Sequence, residues 1–233
     1  MNWQKRDCPV KMTLVPYGAG WEDVFIDIEG NQHHYVVSGC LGDGFGALVE
    51  SLYALYPRQS YCEQEKRLIS AEAEFVCDYK DGKKTNVRPR TSNDLSFFVV
   101  PTKAKFTWDG EGRGVCWSIE RPANEEPEFP VTIELREWES SSPDCKTTKT
   151  YKYVISFSDL CYAVGKAMTE ALKSHGFTGF HESVWESDIN VRHLCFLKAC
   201  GMGHPDAFRP WGTKEKGVVS SFADEIALLM LDM

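Results

Sequence analysis

The stretch 103–122, KAKFTWDGEGRGVCWSIERP, constrains the fold more than any other part of the chain. Ala104, Phe106 and Trp108 alternate with polar residues, and so do Val115, Trp117 and Ile119. A period of two sends successive side chains to opposite faces, so each run reads as a strand with one apolar face. Between them, 109–114 is polar and holds three glycines, the composition of a hairpin connection. If Trp108 faces Val115, then Phe106 faces Trp117 and Ala104 faces Ile119. Aromatic cross-strand pairs of this kind contribute roughly 0.2–1 kcal/mol each. Two strands that commit their largest side chains to one face need other elements to cover it.

The rest of the chain supplies those elements. Val24, Ile26 and Ile28 share one face, with Phe25, Asp27 and Glu29 on the other; Gly30-Asn31 follows, and 34–38 resumes the alternation as a second hairpin strand. Asp43, as N-cap, precedes Phe45, Leu48, Val49, Leu52, Leu55 and Tyr56 at helical spacing, stopped by Pro57. In the middle, Ala73, Phe75, Cys77 and Tyr79 alternate up to Asp81-Gly82, a two-residue turn signal, with a further strand through Val87. A short apolar run, 95–100, ends at Pro101. After the aromatic hairpin come an acidic linker at 125–130, a strand with Val131, Ile133 and Leu135, a polar loop at 140–148, and a strand with Tyr151, Tyr153, Ile155 and Phe157. Ser158 is the expected N-cap of a helix whose Leu160, Val164, Ala167, Met168, Ala171 and Leu172 share a face, with Gly176 as C-cap. The segment 177–185 reads as irregular. Asp188 caps a helix over 189–200, 201–219 reads as loop, and Ser221 with Asp224 forms a capping box for a last helix over 223–231.

Tyr35-Val36-Val37-Ser38 precedes the first helix and Tyr153-Val154-Ile155-Ser156 the second, an echo that fits two ββα-like units around one sheet. The expectation is an α+β fold with a mainly antiparallel sheet and helices packed on one face. It is a single domain over 1–233, any subdivision falling at 1–100 and 101–233.

Charge and cysteine usage narrow the function classes. Lys plus Arg is 26 and Asp plus Glu is 34, a net charge of −8 that repels phosphate backbones. The local basic cluster of Lys80, Lys83, Lys84, Arg88 and Arg90 flanks the turn at 81–82 and reads as a solvated hairpin tip. Nucleic acid is therefore not an expected partner. Nine cysteines at irregular spacing, several on apolar positions, read as reduced core filler. No run approaches the roughly 18 apolar residues of a membrane span, and the first twenty residues show no secretory h-region. The expectation is a cytoplasmic protein with no membrane partner and no cofactor.

Candidate chemistry is sparse. His193, Cys195, Cys200 and His204 have metal-binding side chains, but their spacing lacks the paired ligands of structural zinc sites. Buried cysteines with a capping histidine are the simpler reading. Gly39, Gly42, Gly44 and Gly46 form turns without the Lys-Ser/Thr ending of a phosphate loop. Asp109 and Glu111 belong to turn chemistry. Cys40 lies between a strand and a helix N-terminus, and with His33, His34 or His181 as base it defines an alternative reading, a thiol-dependent hydrolase or transferase. A third reading is a structural subunit of a larger assembly.

Two segments combine acidic and aromatic residues: 134–139 with Glu137 and Trp138, and 181–188 with Glu182, Trp185, Glu186 and Asp188. Loop-borne Trp beside carboxylates suits a basic protein partner, through steering and buried anchors. The hairpin FTWDGEGRGVCW and the later GFTGFHESVW, with an alternating strand and a helix between them, resemble small proteins of bacterial toxin–immunity loci over about residues 100–200. The resemblance implies an acidic, cytosolic, non-enzymatic α+β domain that neutralises a toxin domain by covering its active site or locking its conformation. It assigns no functional residue. The leading expectation is a protein-binding module, an immunity protein with a basic toxin domain as partner.

Overall fold

The computed structural model describes residues 7–39, 44–56, 69–70, 75–80, 83–89, 99–100, 102–122, 128–139, 146–184, 191–204, 211–213, 217–219 and 222–231. In chain order they form β1 (Val10–Gly18), β2 (Trp21–Ile28), β3 (Asn31–Ser38), α1 (Phe45–Leu55), β4 (Ile69–Ser70), β5 (Phe75–Lys80), β6 (Lys83–Pro89) and β7 (Val99–Val100). Then follow β8 (Lys103–Asp109), β9 (Arg113–Glu120), β10 (Pro130–Glu139), β11 (Lys146–Ser156), α2 (Phe157–Val184), α3 (Val191–Gly201), β12 (Trp211–Thr213), β13 (Gly217–Val219) and α4 (Phe222–Leu229). The fold is α+β. Its long strands form two antiparallel meanders, β1-β2-β3 and β11-β10-β9-β8, so the expected single sheet is two. Each meander feeds a helix, α1 after the first and α2 directly after the second.

The aromatic hairpin has the register that its alternation implies. Trp108 pairs with Val115, Phe106 with Trp117 and Ala104 with Ile119. Trp108 and Trp117 meet edge to face at 4.9 Å, and Phe106 stacks on Trp117 at 5.5 Å. The buried Trp108 Nε1–H donates to the Gly44 carbonyl at 3.1 Å, which fixes the start of α1 above the sheet. Glycine does specific work at the hairpin tip: a Cβ on Gly110 would overlap the Val36 carbonyl oxygen, so the tip crosses β3 by backbone approach.

The polar residues that begin α1 and α2 differ from the sequence-based expectation. Asp43, the expected cap of α1, lies outside the described residues. Gly44 holds the N-cap position without a side-chain cap. Instead Glu22, buried on β2, accepts the Phe45 N–H at 2.8 Å, placing a carboxylate at the positive end of the helix. Ser158 sits inside the first turn of α2, because the strand runs straight into the helix. The capping position falls to Ser156, whose Oγ is 2.9 Å from that of Ser158. Gly176 (φ 67, ψ 171) breaks α2 as expected. The chain then resumes a helix through Val184, where an irregular segment was expected.

The strand β1 was not anticipated. Val10, Met12 and Leu14 are buried and alternate with exposed Lys11, Thr13 and Val15. Its outer edge is covered by α2, which runs alongside it. The Cys8 Sγ donates to the Asp159 carbonyl at one end, and Gly20 N–H donates to the Ser183 carbonyl at the other. A covered edge cannot template pairing with another chain. The smaller pairs are β5–β6, antiparallel as the hairpin reading expects, a parallel β4–β7 contact, and β12–β13 within the segment read as loop; residues 81–82 lie outside the described residues.

Candidate functional site

Where β3 meets the second sheet, the core is polar. His33 and Tyr35 point inward from β3, Glu137 comes from β10, and Tyr151 and Tyr153 come from β11. The Tyr35 hydroxyl donates to Glu137 Oε1 at 3.1 Å. Its oxygen is then left to accept from His33 Nδ1, 3.3 Å away, so Nδ1 carries the ring proton. His33 Nε2 therefore accepts from the Tyr153 hydroxyl at 2.7 Å. The four groups form one directional chain of hydrogen bonds ending on a carboxylate. The ring of Tyr151 closes the cluster, edge-on to His33 at 4.7 Å. Burial lowers the His33 pKa, opposed by the nearby Glu137 charge. Burial, then Glu137, holds the Tyr35 hydroxyl far above the ordinary tyrosine range, so it stays a donor. The two tyrosines of the sequence echo, Tyr35 and Tyr153, thus bond the same histidine from opposite sheets.

This arrangement gives Glu137 an internal partner, with its side chain 25% exposed. The acidic run of β10 is also matched by its neighbour strand. Glu134 is opposite Lys152, Glu137 opposite Lys149 and Glu139 opposite Lys146 in register. Trp138, half-buried, lies across Gly114 on the adjacent strand. The β10 carboxylates thus stand opposite lysines of β11 in register, while Glu134 Oε1 pairs with Arg136 Nε of its own strand at 3.2 Å.

The other sequence candidates are placed apart. Glu182 falls on the last turn of α2. Trp185, Glu186 and Asp188 lie outside the described residues, as does Cys40. Of the bases considered for Cys40, His33 has both ring nitrogens engaged in the tyrosine chain, and His34 is bonded to Asp23. His181 sits on α2. The His193 ring lies tilted against Tyr53 with centroids 4.0 Å apart, while the Cys195 sulfur donates to the Glu225 carbonyl. Burial, opposed by Lys198 and aided by Glu225, pushes the Cys195 thiol up to about 11, the opposite of what a nucleophile or metal ligand needs. Cys200 is buried, and His204 is exposed with its backbone N–H on the Ala199 carbonyl. Among the described residues no three His, Cys, Asp or Glu side chains gather as a metal set. Asp109 is a turn residue, its carboxylate accepting the Glu111 N–H at 3.0 Å.

A surface missed by the sequence reading is the outward face of β1-β2-β3. Register places Thr13, Phe25 and His34 in one row across the three strands, and Val15, Asp23 and Val36 in the next. Tyr17 is 55% exposed, Phe25 43% and Val15 41%. Phe25 and His34 stack face to face at 4.4 Å, and His34 Nε2–H donates to Asp23 Oδ1 at 2.7 Å. Three large apolar side chains and a paired His–Asp on one small sheet face exceed the scattered exposure of an ordinary surface. The available signal was Phe25, an aromatic on the polar face of its strand. Among the described residues no helix is long and apolar enough to cross a membrane. Comparison of the chain with protein-family models, curated proteins and solved structures found no match.

Proposed function

We propose that this chain is a non-enzymatic protein-binding module that docks its partner through the open face of β1-β2-β3. The observation that carries the reading is the exposed cluster of Val15, Tyr17 and Phe25 around the His34–Asp23 pair. Tyr and other aromatics on a rigid sheet offer large contact area at low conformational cost, the composition of binding hot spots. The inward residues of the same strands are packed in the core, so the face is held rigid before any partner arrives.

The resemblance to immunity proteins supplies the partner class, a basic toxin domain, and the net charge of −8 suits its steering. The engagement of both His33 ring nitrogens in the tyrosine chain also argues against His33 as the base of a thiol-based site. Affinity capture from the native host, with mass spectrometry, identifies the partner. Its Kd is then measured against Tyr17→Ala and Phe25→Ala. Each variant is expected to bind about tenfold more weakly or worse, as hot-spot truncations do. Wild-type affinity in both variants would remove the assignment.

A further inference from the structure

We infer that the open face of the three-stranded sheet takes a cationic side chain, an arginine or lysine borne on a protein partner, at Asp23. This rests on the docking reading above and names the group that is docked. Asp23 stands between Val15 and Val36 in its row, with Phe25 and His34 in the next row. Its row therefore holds no cation. Lys11, the basic residue of β1 on this face, is opposite Asp27, two residues along β2 from Phe25. The hydrogen bond from His34 Nε2 orients the Asp23 carboxylate, whose side chain remains 29% exposed. Tyr17 lies near enough for the Asp23 charge to act on its hydroxyl, which is raised first by burial and then by that charge.

A carboxylate flanked by the exposed rings of Tyr17 and Phe25 matches a guanidinium or ammonium group in two ways at once. The charge pairs with the carboxylate, and the cation or its planar face lies against a ring. Arginine fits the pair of demands best, because its plane stacks while its edge donates. An anionic group is repelled here by Asp23 and by the net charge of −8.

The test is an NMR titration of the full chain with an eight-residue Arg-Gly repeat peptide, and with a Glu-Gly repeat as control. The Arg-Gly peptide is expected to shift the resonances of Tyr17, Phe25 and His34, and the Glu-Gly peptide to leave them in place. Asp23→Asn and Phe25→Ala are each expected to weaken Arg-Gly binding about fivefold or more. The inference is overturned if the Arg-Gly peptide shifts a different surface, or if Asp23→Asn binds it as the wild type does. It is also overturned, with docking intact, if a native partner protects this face while Arg-Gly peptide leaves it unmoved. If the peptide binds here and no native partner covers the face, the cation site stands and the docking role falls.

Discussion

At His33, burial and hydrogen bonding set both the tautomer and a pH dependence. The pKa of the folded state lies below the ordinary value of 6.5, so between the two the unfolded chain holds the extra proton. Stability is therefore full above that ordinary value and falls as pH drops through it toward the lowered one. His33→Gln retains hydrogen-bonding capacity without titrating. In urea unfolding at pH 7.5 and 5.5, the wild type is expected to lose more stability on acidification than this variant. Equal losses would mean that His33 does not carry the effect. Little of this was legible in sequence. His33 and His34 are adjacent and look alike as candidate bases, yet strand alternation sends one into the tyrosine chain and the other to the surface with Asp23. Their partners are 120 and 11 residues away, and no local pattern announces a partner at the longer distance.

Among the elements, those with strong alternation were readable down to register, as the pairing of Trp108 with Val115 shows. What was not readable was how elements meet. The hairpin tip crosses β3 at Gly110, a contact made by backbone, which leaves no trace in apolar periodicity. Gly110→Ala is expected to destabilise the fold by about 1–3 kcal/mol, since the new Cβ must displace the Val36 carbonyl. Thermal or urea unfolding measures it. At the other end of the chain, Lys198 is wholly buried on α3 and its Nζ donates to the Leu229 and Leu231 carbonyls at 2.9 and 2.8 Å. A cation at the C-terminal end of α4 answers both the orphan carbonyls and the helix dipole. Lys198→Met strips these bonds, so the amides of Phe222–Leu229 are expected to exchange faster, by about 1–3 kcal/mol of local stability. Hydrogen exchange in β8–β11 is expected to be unchanged. Lys198 reads in sequence as one more surface lysine in a helix, because burial of its ammonium depends on a helix that arrives more than twenty residues later.

For the molecule as a whole, the net charge of −8 says less about any one surface than the register does. The carboxylates of β10 stand opposite lysines of β11 in register, while on the first sheet Asp23 stands between the exposed rings of Tyr17 and Phe25, and Asp27, beyond Phe25, stands opposite Lys11. Composition thus reports the overall charge balance, and register where the individual charges stand. The α+β class followed from the strand and helix periods, whereas the approach of the two sheets, with β3 against β8 and β9, is a long-range contact that no period encodes. The exposed aromatic face of the first sheet is not legible without β1 as a strand, since Phe25 then lacks its neighbours Val15 and Tyr17.

The most direct measurement is hydrogen exchange of the complex with the partner captured from the native host. Docking through the open sheet face requires new protection concentrated in residues 13–36, with wild-type exchange retained in β10 and β11. Protection centred on β10, β11 or the helices, with 13–36 unchanged, would contradict it.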